Sequence, residues 1–345
     1  MKKPNFANLC DSRTGKSVVV AILLSLLLGV ASIAAHSQEQ SDIVTGLPAS
    51  GVVSSNLNPL QIALLHWYNA NQTTQVTVGT HPYGIAFDGV NLWVANNGSN
   101  NVSKLRPNDG MSLGTFVVGT SPIAVAFDGA NIWVANINSN NVTKLRASTG
   151  AVLGTFTVGT QPNALAFDGA NIWVANNGSN NVTKLRASDG ATLGTFSVGV
   201  HAAGVAFDGT NIWVSNNGSN TVTKLLASTG AILGTFPVGS LPGLLAFDGT
   251  NIWVANFGSN NVTKLLASTG VTVGTFAAGS GPSGIVFDGA NIWVTDFNST
   301  TVTKLLASNG ANLGTFTVGS EPAAAAFDGI NVWVSNFGGT TVSKL

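Results

Sequence analysis

FDGANIWVAN, residues 127–136, reads as the end of one strand, a tight Asp128-Gly129 turn and a second strand. In that second strand Ile132 and Val134 alternate with Trp133 and Ala135, so both faces are apolar. A strand buried on both faces belongs inside a stack of sheets. The phrase returns every 40 residues, with Phe-Asp-Gly starting at 87, 127, 167, 207, 247, 287 and 327. Six residues beyond each Phe stands a tryptophan: Trp93, Trp133, Trp173, Trp213, Trp253, Trp293 and Trp333. A fixed period of this length marks a repeat architecture.

Working outward within the second copy, four strand-like stretches follow one another: IAVAF, NIWVAN, NVTKL and LGTFTVG. They are joined by Asp128-Gly129, by Asn136 to Asn140 and by Ala147 to Gly150, all residues that favour turns. Four short antiparallel strands per repeat, with a Trp in the second to fill the layer between neighbours, predict an all-β, seven-bladed β-propeller over 74–345. The chain ends at Leu345, after the third strand of the seventh copy. The matching fourth strand stands ahead of the first copy, where Gln75-Val76-Thr77-Val78-Gly79 repeats the pattern of Thr155 to Gly159. The ring is therefore expected to close three plus one, the N-terminal strand completing the last blade. Closure removes exposed sheet edges, so a monomer is expected.

Ahead of the repeats, Lys2, Lys3, Arg13 and Lys16 precede an apolar run from Val18 to Ala35 that ends in small residues. This is the pattern of a secretory signal over 1–37, and it predicts an exported protein: periplasmic, extracellular or at the cell surface. Membrane attachment is expected only if that segment stays uncleaved. Cys10, the single cysteine, would leave with the signal. Residues 38–73 read as a linker carrying a short helix at about 59–69, opened by Asn58 and Pro59. Without the signal, ten Lys and Arg face thirteen Asp and Glu, a weakly acidic balance that disfavours nucleic acid as a partner.

The copies differ from one another unevenly. The turns Asp-Gly-x-Asn and (Ala/Pro)-(Ser/Asn)-x-Gly, on one side of the ring, hardly change. On the other side the fourth-to-first connection carries His81, Ser121, Gln161, His201, Leu241, Gly281 and Glu321. Two residues on stand Tyr83, Ile123, Asn163, Ala203, Gly243, Ser283 and Ala323. The second-to-third loop varies as well, from Asn97, Ile137, Asn177 and Asn217 to Phe257, Phe297 and Phe337. A ligand site is expected on this channel-mouth face, drawing on His81, Tyr83, Gln161, Asn163, His201, Phe257, Phe297, Phe337 and Glu321. Phe257, Phe297 and Phe337, on consecutive blades, would form an apolar patch for a peptide, a glycan or a partner protein.

Asp296 stands where the other six copies have Asn. With Glu321 and His81 from adjoining blades it would supply acid/base chemistry, and with Glu321 a site for Mg or Ca. Two periodic sets read as structural: the seven Asp of Asp-Gly as turn residues, and Lys104, Lys144, Lys184, Lys224, Lys264, Lys304 and Lys344 as solvated strand positions. The sequons at Asn97, Asn101 and Asn141 fall within the turn and strand pattern itself.

LWVANNGSNNVSKL (residues 92–105) and its six relatives resemble the YVTN- and NHL-type bacterial propeller repeats, with Trp where that family often has Tyr. Propellers related in this way include streptogramin (virginiamycin B) lyases, sugar-lactone hydrolases and surface proteins. The resemblance implies the fold and leaves the activity open. Streptogramin lyases use a His and a Glu near a magnesium ion at the channel mouth, which implies His81, Glu321 and Asp296 as the positions to inspect for a metal-assisted lyase or lactonase. No nucleophile-base pair or phosphate-cradling loop stands out in the sequence, which favours a binding or interaction scaffold.

Overall fold

In each repeat the Asp-Gly turn does more than reverse the chain. In the first, Asp88 Oδ1 accepts the backbone N–H groups of Val90 and Asn91, and Oδ2 accepts the Trp93 indole N–H at 2.7 Å. The other six repeats repeat this bonding, so each turn carboxylate aims the tryptophan of the following strand. The glycine that follows, Gly129 for example, has φ +96°, a left-handed geometry that a side chain resists even though nothing crowds the position.

The computed structural model describes residues 74–345; the expected signal segment, the linker and the helix at about 59–69 lie outside the described residues. After β1 (Thr74–Thr77), the first blade runs β2 (Pro82–Phe87), β3 (Leu92–Asn96), β4 (Asn101–Leu105) and β5 (Ser112–Val117) from the centre outward. Seven four-stranded antiparallel sheets of this kind make a seven-bladed β-propeller. The seventh holds only three strands from its own repeat, Pro322–Phe327, Val332–Asn336 and Thr341–Lys344. Its fourth is β1, paired antiparallel with Gln75 opposite Ser343 and Val76 opposite Val342. The expected three-plus-one closure is present.

The second strand of every blade is buried on both faces, as its double apolar alternation requires. The tryptophans fill the layer between blades. Trp93 is fully enclosed and belongs to one cluster with Val102 of its own blade and Ile132, Val134 and Leu145 of the next. Phe116, on the outermost strand of the same blade, packs on it at 5.4 Å between ring centroids.

The recurrent lysines correct the sequence reading. They are not solvated: Lys104, Lys144, Lys184, Lys224 and Lys264 are all buried. Each ammonium crosses to the next blade and donates to a backbone carbonyl in its third-to-fourth turn, Lys104 to Ala147 at 2.7 Å and Lys184 to Ala227 at 2.7 Å. It also rests about 5 Å from the centroid of its own blade's Trp ring, a cation–π contact. At the closure Lys344 makes the same reach to Pro107 and Asn108 of blade one. Lys304 keeps the ring contact, 4.5 Å over Trp293.

Candidate functional site

The variable face is built from residues held in an unusual backbone conformation. His81, Ser121, Gln161, His201, Leu241 and Glu321 all have φ between +49° and +58°, the left-handed region in which a non-glycine residue is strained. Hydrogen bonds hold the backbone there. The left-handed Asn100 accepts the N–H of Ser121 at 2.8 Å, and Asn140, Asn180, Asn220 and Asn260 do the same for Gln161, His201, Leu241 and Gly281. Thr300 and Thr340 replace that Asn in the last two repeats. There the N–H groups of Glu321 and His81 turn to the carbonyls of Ser299 and Gly339.

Within this rim lies a cavity of about 290 Å³, walled by Tyr83, Asn163, Asn177, His201, Asn217, Phe257 and Phe297. These residues come from blades one, three, four, five and six, so the cavity covers the mouth of the central channel. Tyr83 reaches across it: its phenol bonds Ser283 of blade six, with blade seven between them. Burial raises the Tyr83 pKa above its ordinary value, the Ser283 bond opposing, so the phenol stays protonated at neutral pH.

The floor is a single side chain. The inner strands contribute Gly84, Ala124, Ala164, Gly204, Leu244, Gly284 and Ala324 at one equivalent position. Leu244 alone is large, and it packs against the cores of blades three and four, of five and six, and of seven and one. It therefore lies across the bore and closes the cavity from below. Sequence reasoning missed it, because a leucine on an apolar strand carries no signal except against the six small residues at the same place.

The three phenylalanines pack against one another rather than each on its own loop. Ring centroids are 6.2 Å apart for Phe257 and Phe297 and 5.8 Å for Phe297 and Phe337. Phe337 continues the arc into blade one, stacked on His81 at 5.1 Å and edge-on to Tyr83 at 5.6 Å. Gly281 makes room for it: a Cβ there would stand 3.0 Å from the Phe257 ring and 2.6 Å from the Asn298 amide. Gln161 and Glu321 are exposed on the rim outside the cavity lining.

The expected grouping of His81, Asp296 and Glu321 is not assembled. Among the described residues no three His, Cys, Asp or Glu side chains gather where they could hold a metal ion. Asp296 is fully enclosed within its own blade. Its Oδ1 accepts the Gly279 N–H at 3.0 Å, and Oδ2 accepts the hydroxyls of Thr301 and Thr303 at 2.9 Å each. A cation would have to displace all three donors, so Asp296 does not fit the Mg or Ca role.

Burial outweighs those hydrogen bonds and raises the Asp296 pKa above its ordinary value. The charged form is thus disfavoured in the native state, and stability falls as pH rises through the folded pKa. Asn216, the equivalent in blade four, bonds Gly199, Thr221 and Thr223 without a charge. Asp296→Asn is therefore expected to stabilise the protein at pH 7 by about 1 kcal/mol. The gain should vanish below about pH 4, where the unfolded carboxyl is also protonated. Urea melts of both proteins at the two pH values check this; an equal effect at both would overturn it. The turn carboxylates behave oppositely. Burial works against Asp128, Asp168, Asp208, Asp248, Asp288 and Asp328, but indole, amide and backbone donors more than offset it and lower their pKa values.

The fold and this site define a propeller with one invariant and one individualised face. No protein-family model matches the chain, and no curated protein does. Solved structures are similar over the ring. A streptogramin B lyase superposes with TM-score 0.69 at 18% identity, over 79% of this chain and 96% of that one. The virginiamycin B lyase of Staphylococcus aureus gives 0.68 at 18%, over 79% and 98%. Kuenenia stuttgartiensis hydrazine synthase gives 0.69 at 18%, over 78% and 96%. At that identity the likeness shows the fold alone.

Proposed function

We propose that this chain is an exported ligand-binding module that takes its ligand in the cavity at the channel mouth. One observation carries the reading: positions that differ among otherwise near-identical repeats converge on one cavity from five blades. The opposite face keeps nearly the same turns in every blade, and its clefts repeat from blade to blade, as between Asp88 and Ala147 and again between Asp128 and Ala187, apart from one at the closing seam lined by Val76, Pro107, Asn108 and Ile330. The YVTN- and NHL-type resemblance of the repeat is compatible with this role, since it implies the ring and leaves the activity open. The signal pattern over 1–37 supports export, and an exported module would meet its ligand in the periplasm, at the cell surface or outside the cell.

A second reading, a lyase or lactonase, draws on the likeness to the two lyases and on the His201 imidazole in the cavity wall. The lining holds an imidazole and a phenol but no carboxylate, so binding comes first.

Thermal melts of the full chain against a panel of small molecules, peptides and oligosaccharides, with and without magnesium, test both readings. A ligand at a hundred times its Kd should stabilise the native state by about 2.7 kcal/mol. The shift should disappear in Phe297→Ser and persist in Ala170→Ser on the opposite face. Shifts lost only in Ala170→Ser would overturn the mouth as the site, and chemical conversion of a bound compound would establish the lyase.

A further inference from the structure

We infer that the ligand is a neutral oligosaccharide whose end ring enters the mouth cavity, a refinement that rests on the mouth-binding reading. The cavity wall has two chemically different halves. On blades five, six and one stand Phe257, Phe297 and Tyr83; on blades three and four stand Asn163, Asn177, His201 and Asn217. A ligand that fills it must present an apolar face to the rings and a hydrogen-bonding edge to the amides. A sugar ring does so, with C–H bonds on its faces and hydroxyls around its edge.

The amides suit hydroxyls in particular. A hydroxyl both donates and accepts, and a carboxamide answers both needs with its NH₂ and its carbonyl. The Asn177 side chain makes no hydrogen bond within the described residues. Asn163 spends one N–H on the Ala203 carbonyl and Asn217 one on Pro242, which leaves both amide oxygens to accept.

Charge argues the same way. No carboxylate, ammonium or guanidinium lines the cavity, so a phosphate, a carboxylate or an amine would lose its hydration there without a partner. A wholly apolar ligand would strand three amides in the same manner.

Size and shape favour a chain over a single sugar. At about 290 Å³ the cavity is at the small end for ligand sites. The aromatic arc does not stop at its edge: Phe337 and the exposed His81 extend it across blades seven and one. One ring in the cavity would leave the next to lie along Phe337.

The test is calorimetry and array binding of the full chain with neutral tetrasaccharides of glucose, mannose, xylose and N-acetylglucosamine, beside uronic-acid and sulfated counterparts and short peptides. At least one neutral tetrasaccharide is expected to bind, and Phe297→Ala and Asn177→Ala should each weaken it about tenfold with unchanged melting temperature. Phe337→Ala should weaken the tetrasaccharide while sparing its disaccharide. If peptides or charged sugars bind in a Phe297-dependent way and no neutral sugar does, the carbohydrate inference falls and the binding module stands. If nothing binds in a Phe297-dependent way, both fall. Should a destabilised Phe297→Ala protein blur the comparison, Asn177→Asp keeps the size of the wall and adds a charge, and undiminished sugar binding there overturns the inference.

Discussion

Trp213→Ala is expected to lower the unfolding free energy by about 3–5 kcal/mol, the range for removing a fully buried aromatic side chain. Trp213 is completely enclosed, in one cluster with Val222 of its own blade and Ile252, Val254 and Leu265 of the next. The substitution opens a cavity between two blades and removes the ring 5.0 Å below the Lys224 ammonium. It also leaves the Asp208 carboxylate without the indole N–H that it accepts at 2.8 Å. For a ring of this size the loss corresponds to a drop in melting temperature of roughly 5–9 °C. Trp213→Phe, which keeps a ring and loses the N–H, should cost less than half as much. Guanidinium melts of the full chain measure both, and a loss below about 1 kcal/mol for the alanine variant would contradict the interblade role of the tryptophans.

Removing residues 74–79 should convert the closed ring into aggregates or open oligomers. Those residues include β1, which supplies the whole outer strand of blade seven through its pairing with Thr341–Lys344. Val76 and Val78 also pack on the cluster that joins blades seven and one, beside Trp333 and Leu92. Deletion therefore exposes an unpaired strand edge and the flank of a hydrophobic layer together. Val76→Asp is a gentler version, forcing a charge into that layer, and it should weaken closure without removing the strand. Size-exclusion chromatography with light scattering decides the matter; a deletion variant that elutes as a monomer and melts cooperatively would refute the closure role.

The blade pattern could be read directly because it is local and repeated. The Asp-Gly turn, the doubly apolar second strand and the phase of the repeat at both ends each leave a mark within a few residues. The lysine clamp left none. Lys184 finds its carbonyl at Ala227, in the next blade, and an isolated lysine on an alternating strand looks like any solvated one. The mouth was legible as a set of positions but not as a shape. Variation singled out Tyr83, Asn163, His201, Phe257 and Phe297, whereas the span of Tyr83 to Ser283 skips a blade and depends on side-chain reach. Asp296 misled for a related reason: an exceptional acid reads as functional, and only the enclosing Thr301 and Thr303 hydroxyls show that the blade interior absorbs it.

The closing strand has one more implication. The outer strands that blades two to six draw from their own repeats, such as Val152–Thr157 and Thr192–Ser197, differ little from one another, whereas Thr74–Thr77 carries Gln75 where they have Thr and Val76 where they have Phe. During folding, the outer edge of an unfinished blade is thus a nearly equivalent docking place for several segments of one chain. Near-identical repeats smooth the native ring and roughen the route to it, because a strand captured one blade out of phase satisfies almost the same contacts. Only the few individual residues at the seam, Val76 packed with Trp333 and Pro107 accepting from Lys344, tell the chain which partner ends the count.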